Sequence, residues 1–216
     1  VNPVQHVTFP KGDKFKPAVL NPAEAAAFVE AAAGNRHYLF FLLAIYTGMR
    51  QGELRGLRWS DVDLEKCTIS ITQKVRKDGN KAVYGDPKTE ESIGMISFDP
   101  EFIPLFERHR REQMEDIAKC AELGLEYKNK HLVFAGSTGN PLDRKVIDRN
   151  LKKILKEAGI TKHIRPHDLR HSCATLLMSQ GVHLKTVQER LRHADIRTTG
   201  NIYSHVLPRM QQEANA

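Results

Sequence analysis

The sequence predicts a mainly α fold with a small antiparallel β-sheet, an α+β architecture. Three observations carry that expectation. Apolar residues recur at helical spacing over most of the 216 residues. One segment, residues 67–74 (C-T-I-S-I-T-Q-K), instead alternates and is rich in β-branched residues, with two further extended segments after it. Asn-Pro and Gly signals punctuate the helical stretches where starts and stops belong. The chain is long enough to bury a core without disulfide staples. Its 40% hydrophobic and 27% charged residues are a globular balance rather than a disordered one.

In chain order, residues 1–17 are polar, hold Pro3, Pro10 and Pro17, and read as a linker from a preceding module. Residues 18–216 are read as one domain. Asn21-Pro22-Ala23-Glu24 is a helix start, with Asn as cap, Pro at the first helical position and Glu at the positive end of the dipole. That helix runs to Ala33 and stops at Gly34. Residues 36–47 are almost entirely apolar, so that helix is buried on most sides. Gly48 breaks it, and residues 50–57 restart a short helix. Residues 61–63 read as a turn. The strand at 67–74 has partners expected at 82–84 and 92–98, with turns at Lys77-Asp78-Gly79-Asn80 and around Pro87-Lys88-Thr89-Glu90. Helix returns from Pro100 to about Leu123, and residues 132–134 are extended. Residues 143–158 form an amphipathic helix with Val146, Ile147, Leu151, Ile154 and Leu155 on one stripe, ended by Gly159. Further helices are expected at 167–180, 184–192 and 196–203.

The net charge of +7 is unevenly placed. Residues 144–197 hold thirteen Lys and Arg against five Asp and Glu, while the remainder is nearly balanced. A basic quarter of this kind fits a polyanion, although a solvated face with no partner would look the same. Cys67, Cys120 and Cys173 lie far apart with no C-x-x-C spacing, which fits a reducing cytoplasm rather than a disulfide scaffold or zinc site. The longest apolar run, residues 38–46, is too short to cross a bilayer, so no membrane partner is expected. No secretory leader is seen, and the first residues read as the middle of a longer protein.

Phosphate-loop, dinucleotide-fingerprint and nucleophile-elbow motifs are absent, as is the acidic cluster of a two-metal nuclease. Three segments stand out instead. In His167-Asp168-Leu169-Arg170-His171, His167 and Arg170 share a helix face near its N-terminus, where backbone N–H groups favour an anion. His167 and His171 also have a metal-pair spacing, but their cationic neighbours disfavour a metal, and none is assigned. In Thr47-Gly48-Met49-Arg50-Gln51-Gly52-Glu53-Leu54 a buried helix ends at glycine and an arginine follows at once, with Glu53 placed to orient it. The third segment runs from Leu191-Arg192-His193 through Thr198-Thr199 to Tyr203. Taken singly, each also suits an ordinary helix end, a packing tyrosine or a structural histidine.

In that order and spacing, the three segments resemble the tyrosine recombinases of the phage integrase family. The resemblance covers roughly residues 20–207, the catalytic domain, and residues 2–17 resemble the family's interdomain linker. It implies that Arg50 and Arg170 bind a scissile phosphate, that Lys88 is the hairpin lysine, that His167 and His193 are the active-site histidines, that Tyr203 is the nucleophile, and that Glu53 supports them. It further implies a site-specific DNA recombinase or integrase of a phage or integrative element, acting through a 3′-phosphotyrosyl intermediate without metal, ATP or other cofactor. The alternatives are a host Xer-like recombinase that resolves chromosome dimers, or a non-catalytic DNA-binding module. The implied partners are double-stranded DNA at attachment sites, a homotetramer in the full-length protein, and accessory DNA-bending or directionality factors. Lys145, Arg149, Lys152, Arg192 and Arg197 are expected to contact DNA. Two departures stand out: Arg192 replaces the family's usual Gly, and three residues separate Thr199 from Tyr203 where many members have two.

Overall fold

The computed structural model describes residues 18–78, 81–85 and 94–192. Its centre is helix α2 (Tyr38–Thr47), with Leu39, Phe40, Phe41, Leu43, Ala44, Ile45 and Thr47 buried. A helix apolar on nearly every side must be surrounded. Helices α1 (Pro22–Ala32), α3 (Gln51–Gly56), α4 (Ile103–Glu122) and α6 (Pro166–Ser179) all pack on it, while α5 (Arg144–Glu157) bridges α1 and α6. Phe40 meets Phe41 and Phe134 edge-on at centroid distances of 5.5 and 5.2 Å, and Phe28 meets Phe41 at 6.2 Å. Each such ring, fully buried, contributes roughly 1.5–3 kcal/mol of transfer free energy. The amphipathic stripe of α5 faces this core through Ile147, Leu151, Ile154 and Leu155. A smaller apolar cluster joins Cys173, Ala174 and Met178 of α6 to Val187 and Leu191 of α7 (Leu184–Leu191).

The helix ends follow from local chemistry. The Asn21 side chain accepts from the Glu24 N–H at 2.8 Å, and the Glu24 carboxylate accepts from the Asn21 N–H at 2.8 Å, so two otherwise orphaned donors are satisfied. Pro22 takes the first helical position. Helix α2 ends at Gly48, whose φ of 65° is left-handed.

The β region is antiparallel, as expected, but forms two sheets rather than one. Strands β1 (Val62–Asp63), β2 (Thr68–Ile71) and β5 (Gly94–Ser97) form a three-stranded sheet in the order β1-β2-β5, while β3 (Lys74–Asp78) and β4 (Lys81–Gly85) pair separately. The register sets Ile69 opposite Ile96 and Val75 opposite Tyr84. The expected strand over residues 67–74 is therefore broken, and tertiary hydrogen bonds explain the break. Gln73 Nε2 donates to the Gly56 carbonyl at 2.7 Å, and Arg58 Nη2 donates to Thr72 Oγ1 at 2.9 Å. These two residues are thereby turned toward α3 and its following loop. Residues 62 and 63, expected in a turn, pair with β2, and Lys77 and Asp78 belong to β3 rather than to the turn. Of residues 132–134, expected to be extended, Leu132 forms an isolated antiparallel bridge with Arg58, while Val133 and Phe134 lie in a bend. Val133 N–H donates to the Leu57 carbonyl at 2.8 Å, and Trp59 N–H donates to the His131 carbonyl at 2.9 Å.

Strand β3 lies directly on α3. A Cβ added to Gly52 would sit 2.9 Å from the Val75 carbonyl oxygen, and one on Gly56 would sit 3.1 Å from the Lys74 Cα. Only glycines permit this approach, which fixes the β3–β4 hairpin beside the helix that begins at Arg50. The expected helix at 196–203 lies outside the described residues.

Candidate functional site: an arginine-lined anion pocket

Arg50 and Arg170 come from elements 120 residues apart in sequence and meet where α2 ends. Arg50 is the cap residue of α3, immediately beyond the left-handed turn at Gly48. Glu53 closes that start: its carboxylate accepts from the Arg50 backbone N–H at 2.9 Å and from Arg50 Nη1 at 2.8 Å. Arg50 Nη2 donates to the Arg192 carbonyl at 3.3 Å. The Arg50 side chain remains 36% exposed, while that of Glu53 is 5% exposed, so the arginine reaches toward solvent from a buried anchor.

Arg170 is held differently. Its residue is 2% exposed, and its fork is anchored by backbone carbonyls: Nη1 donates to Gly48 O at 2.6 Å and Nη2 to Leu191 O. A guanidinium has five N–H groups, so two such bonds leave three for other acceptors. Burial, and then the charge of Arg50, draw its pKa down to about 9. It stays cationic at neutral pH, with no carboxylate bonded to it among the described residues. A buried charge in this state favours any anion that can reach it.

His167 stands in the first turn of α6, one turn before Arg170. Desolvation and then the Arg170 charge lower its pKa, with Arg50 acting in the same direction. The ring is therefore neutral at pH 7 and able to take up a proton. Its edge meets the His171 ring at 4.9 Å. His171, pushed down to about 4 by burial and then by His167, is also neutral. The start of α6 is fixed by Asp168, fully buried, which accepts from the Arg165 backbone N–H at 2.8 Å and from Arg165 Nε and Nη2 at 2.9 Å each.

The structure thus brings Arg50, Glu53, His167 and Arg170 together. Arg192 joins them: its side chain is 6% exposed and its Nη2 donates to Glu53 Oε2 at 2.6 Å. Lys145, Arg149 and Lys152 are exposed on α5 at positions that share one face. Arg149 lies close enough to lower the His37 pKa electrostatically, at the opposite end of α2 from Gly48, so this stripe is separate from the pocket. Lys88, His193, Arg197 and Tyr203 lie outside the described residues. Three contributors were not anticipated from sequence. The carbonyls of Gly48 and Leu191 carry no side-chain signal. The Arg165–Asp168 clamp had one, in the Arg-Pro-x-Asp spacing of a capped helix start.

The α+β domain thus sets two anchored guanidiniums and a neutral histidine side by side. The model of the phage integrase family matches residues 18–210, and the chain belongs to that family. It is 38% identical over 194 residues to a tyrosine recombinase XerC-like protein of Caldanaerobacter subterraneus, covering 86% of this chain and 49% of that protein. It is 32% identical over 174 residues to the ICEBs1 integrase of Bacillus subtilis, covering 81% and 46% respectively. The chain therefore spans about half the length of these curated relatives. Among solved structures it resembles the XerA recombinase, with a TM-score of 0.70 and 27% identity, covering 94% of this chain and 67% of that one. The mainly α fold with small antiparallel sheets is the fold of tyrosine recombinase catalytic domains. Among the described residues, no helix is long and apolar enough to cross a membrane.

Proposed function

We propose that residues 18–216 form the catalytic domain of a site-specific DNA recombinase, an integrase of a phage or integrative element, with residues 1–17 as the linker from a DNA-binding module. The observation that carries this reading is the convergence of Arg50 and Arg170 on one pocket with His167 beside them. The family and the integrase relative support it. The XerC-like relative also supports a second reading, a host Xer-like recombinase with the same chemistry.

A phosphodiester repels nucleophiles through its negative charge. Two anchored guanidiniums answer that charge on the non-bridging oxygens, and they do so more strongly as it grows in the pentacovalent transition state. The oxygen of Tyr203 attacks phosphorus, forming a phosphotyrosyl bond as the bond to the 5′-oxygen breaks. The phenol proton passes to His167, and Lys88 supplies a proton to the departing 5′-oxygen. His193 donates a hydrogen bond to the phosphate. One phosphodiester replaces another, so bond energy is conserved and neither ATP nor metal is required. A 5′-hydroxyl from a second duplex reverses the step and exchanges strands. In the full-length protein this takes place in a homotetramer on double-stranded attachment sites, aided by accessory DNA-bending or directionality factors, in the cytoplasm. Lys145, Arg149 and Lys152, with Arg197, add phosphate contacts outside the pocket.

A nicked suicide duplex bearing the attachment site tests the reading. A covalent protein–DNA band is expected, and Tyr203→Phe should abolish it while leaving DNA affinity nearly unchanged. Binding without any covalent band in the unsubstituted protein would favour a non-catalytic DNA-binding module.

A further inference from the structure

Arg192 occupies a position where an arginine is costly on three counts. Its backbone is left-handed, with φ of 52° and ψ of 51°, immediately after α7, a conformation that side chains disfavour. Its side chain is almost wholly buried. Its Nε and Nη1 are buried with no hydrogen-bond partner among the described residues. Such a residue is retained against its local cost when another part of the molecule depends on it.

Its contacts show which part. The aliphatic stem lies over the start of β5, so close that a Cβ on Gly94 would stand 2.6 Å from Arg192 Cδ. The guanidinium then reaches Glu53, 139 residues away, through Nη2 on Oε2. The carbonyl of the same residue receives Arg50 Nη2. Arg192 therefore meets Arg50 from two sides, once through the carboxylate they share and once through its own backbone.

This changes what Glu53 can do. A carboxylate can close on an arginine with both oxygens, as Asp168 does on Arg165, whereas Asp61 meets Arg58 through Oδ2 alone while Arg58 Nη2 is turned away to Thr72. Oε2 of Glu53 accepts from both the Arg50 backbone N–H and Arg192 Nη2, which leaves Oε1 alone to hold the Arg50 guanidinium. We propose that Arg192 is a positioning residue of the anion pocket: by occupying one oxygen of Glu53 and offering its carbonyl to Arg50, it keeps the Arg50 fork turned outward and incompletely neutralised. The proposal rests on the phosphate-binding reading of the pocket and assigns Arg192 an indirect role in place of a direct contact to DNA.

The test is a double-mutant cycle read by sulfate binding to this chain, followed on the arginine side-chain N–H resonances. Arg192→Gln is made in the native background and in Glu53→Gln. Loss of one positive charge weakens sulfate binding in both. Only with Glu53 present can the freed carboxylate close both oxygens on Arg50. The loss is therefore expected to be about tenfold greater in the native background. Arg192→Gly, the residue that the left-handed backbone favours, runs in parallel as the variant that folds should the glutamine not be tolerated. Equal losses in the two backgrounds would make Arg192 a plain charge or a direct anion ligand and overturn the proposal alone. No response of the unsubstituted chain to sulfate would overturn the anion-pocket reading beneath it.

Discussion

Helices α3 and α6 begin with the same device and put it to different uses. Each opens on an arginine whose backbone N–H is accepted by an acid three residues on, Glu53 for Arg50 at 2.9 Å and Asp168 for Arg165 at 2.8 Å. At α6 the pairing is complete: both oxygens of Asp168 engage Arg165, and the two charges cancel. At α3 a single carboxylate is divided between Arg50 and Arg192, with Arg170 close by on carbonyls. Three guanidiniums there face one carboxylate. A cap that neutralises its arginine is a structural element. A cap whose acid is shared among more arginines than it can satisfy leaves positive charge for a ligand.

The largest expected effect separates the two helix starts directly. Arg50→Ala or Arg170→Ala should lower the rate of covalent complex formation on the suicide duplex by about 10²–10³-fold, as loss of a preorganised oxyanion donor does. Arg165→Ala removes an arginine of the same local geometry and should leave that rate within a few-fold. Its cost should fall on stability instead, above the roughly 1 kcal/mol of a surface ion pair, because the buried Asp168 carboxylate loses its guanidinium partner. Similar loss of rate for Arg165→Ala and Arg50→Ala would break the distinction.

A second contrast concerns the glycines that end helices α2 and α6. Both Gly48 and Gly181 are left-handed, with φ of 65° and 82°. A Cβ on Gly181 would meet nothing within 4 Å, whereas one on Gly48 would collide with the Leu191 side chain and lie 3.3 Å from Cys173 Sγ. Gly181→Ala should therefore cost about 1 kcal/mol, from backbone conformation alone. Gly48→Ala should cost about 2–3 kcal/mol, because overpacking is added. It should also impair cleavage, since Leu191 and Gly48 supply the carbonyls that hold Arg170. Urea denaturation of the two variants, with cleavage measured alongside, separates the contributions.

What could be read from the sequence is what short-range chemistry decides. The Asn21-Pro22 start, the stop at Gly48 and the α5 stripe all lie within a few residues of the feature they determine, and all stand where expected. Helix spacing pairs His167 with Arg170 and sets Glu53 three residues from Arg50, but only the order of the three motifs and their resemblance to the phage integrase family linked the two pairs. The division of the β region was not legible. Thr72 and Gln73 alternate like strand residues, and only their bonds to Arg58 and Gly56 across the fold turn them out of the sheet. The reach of Arg192 to Glu53 was hidden for the same reason, as was the use of carbonyls to hold Arg170. A backbone acceptor has no identity in the sequence, and its partner is set by topology.

The smallest effect expected is on pH dependence, and it again sets α6 against another helix start. His171 on α6 and His37 at the start of α2 are both pushed down to about 4, each chiefly by burial, followed by His167 in the first case and Arg36 in the second. In the unfolded chain each titrates near about 6.5. The folded state therefore refuses a proton that the unfolded state accepts between those values. Stability present above about pH 6.5 is lost progressively as the pH falls toward 4, with a slope approaching one proton per histidine. Below that range Glu53 and Asp168, both held lower than ordinary carboxylates chiefly against their own desolvation by their arginine partners, begin to contribute in the same direction. His171→Gln and His37→Gln should each flatten the slope between pH 6.5 and 4 by up to one proton, measured from urea midpoints across that range. His171→Gln should also weaken the acid limb of cleavage, because His171 abuts His167, whereas His37→Gln should leave it in place. If both substitutions moved the cleavage profile alike, the acid limb would report global unfolding rather than the protonation of His167.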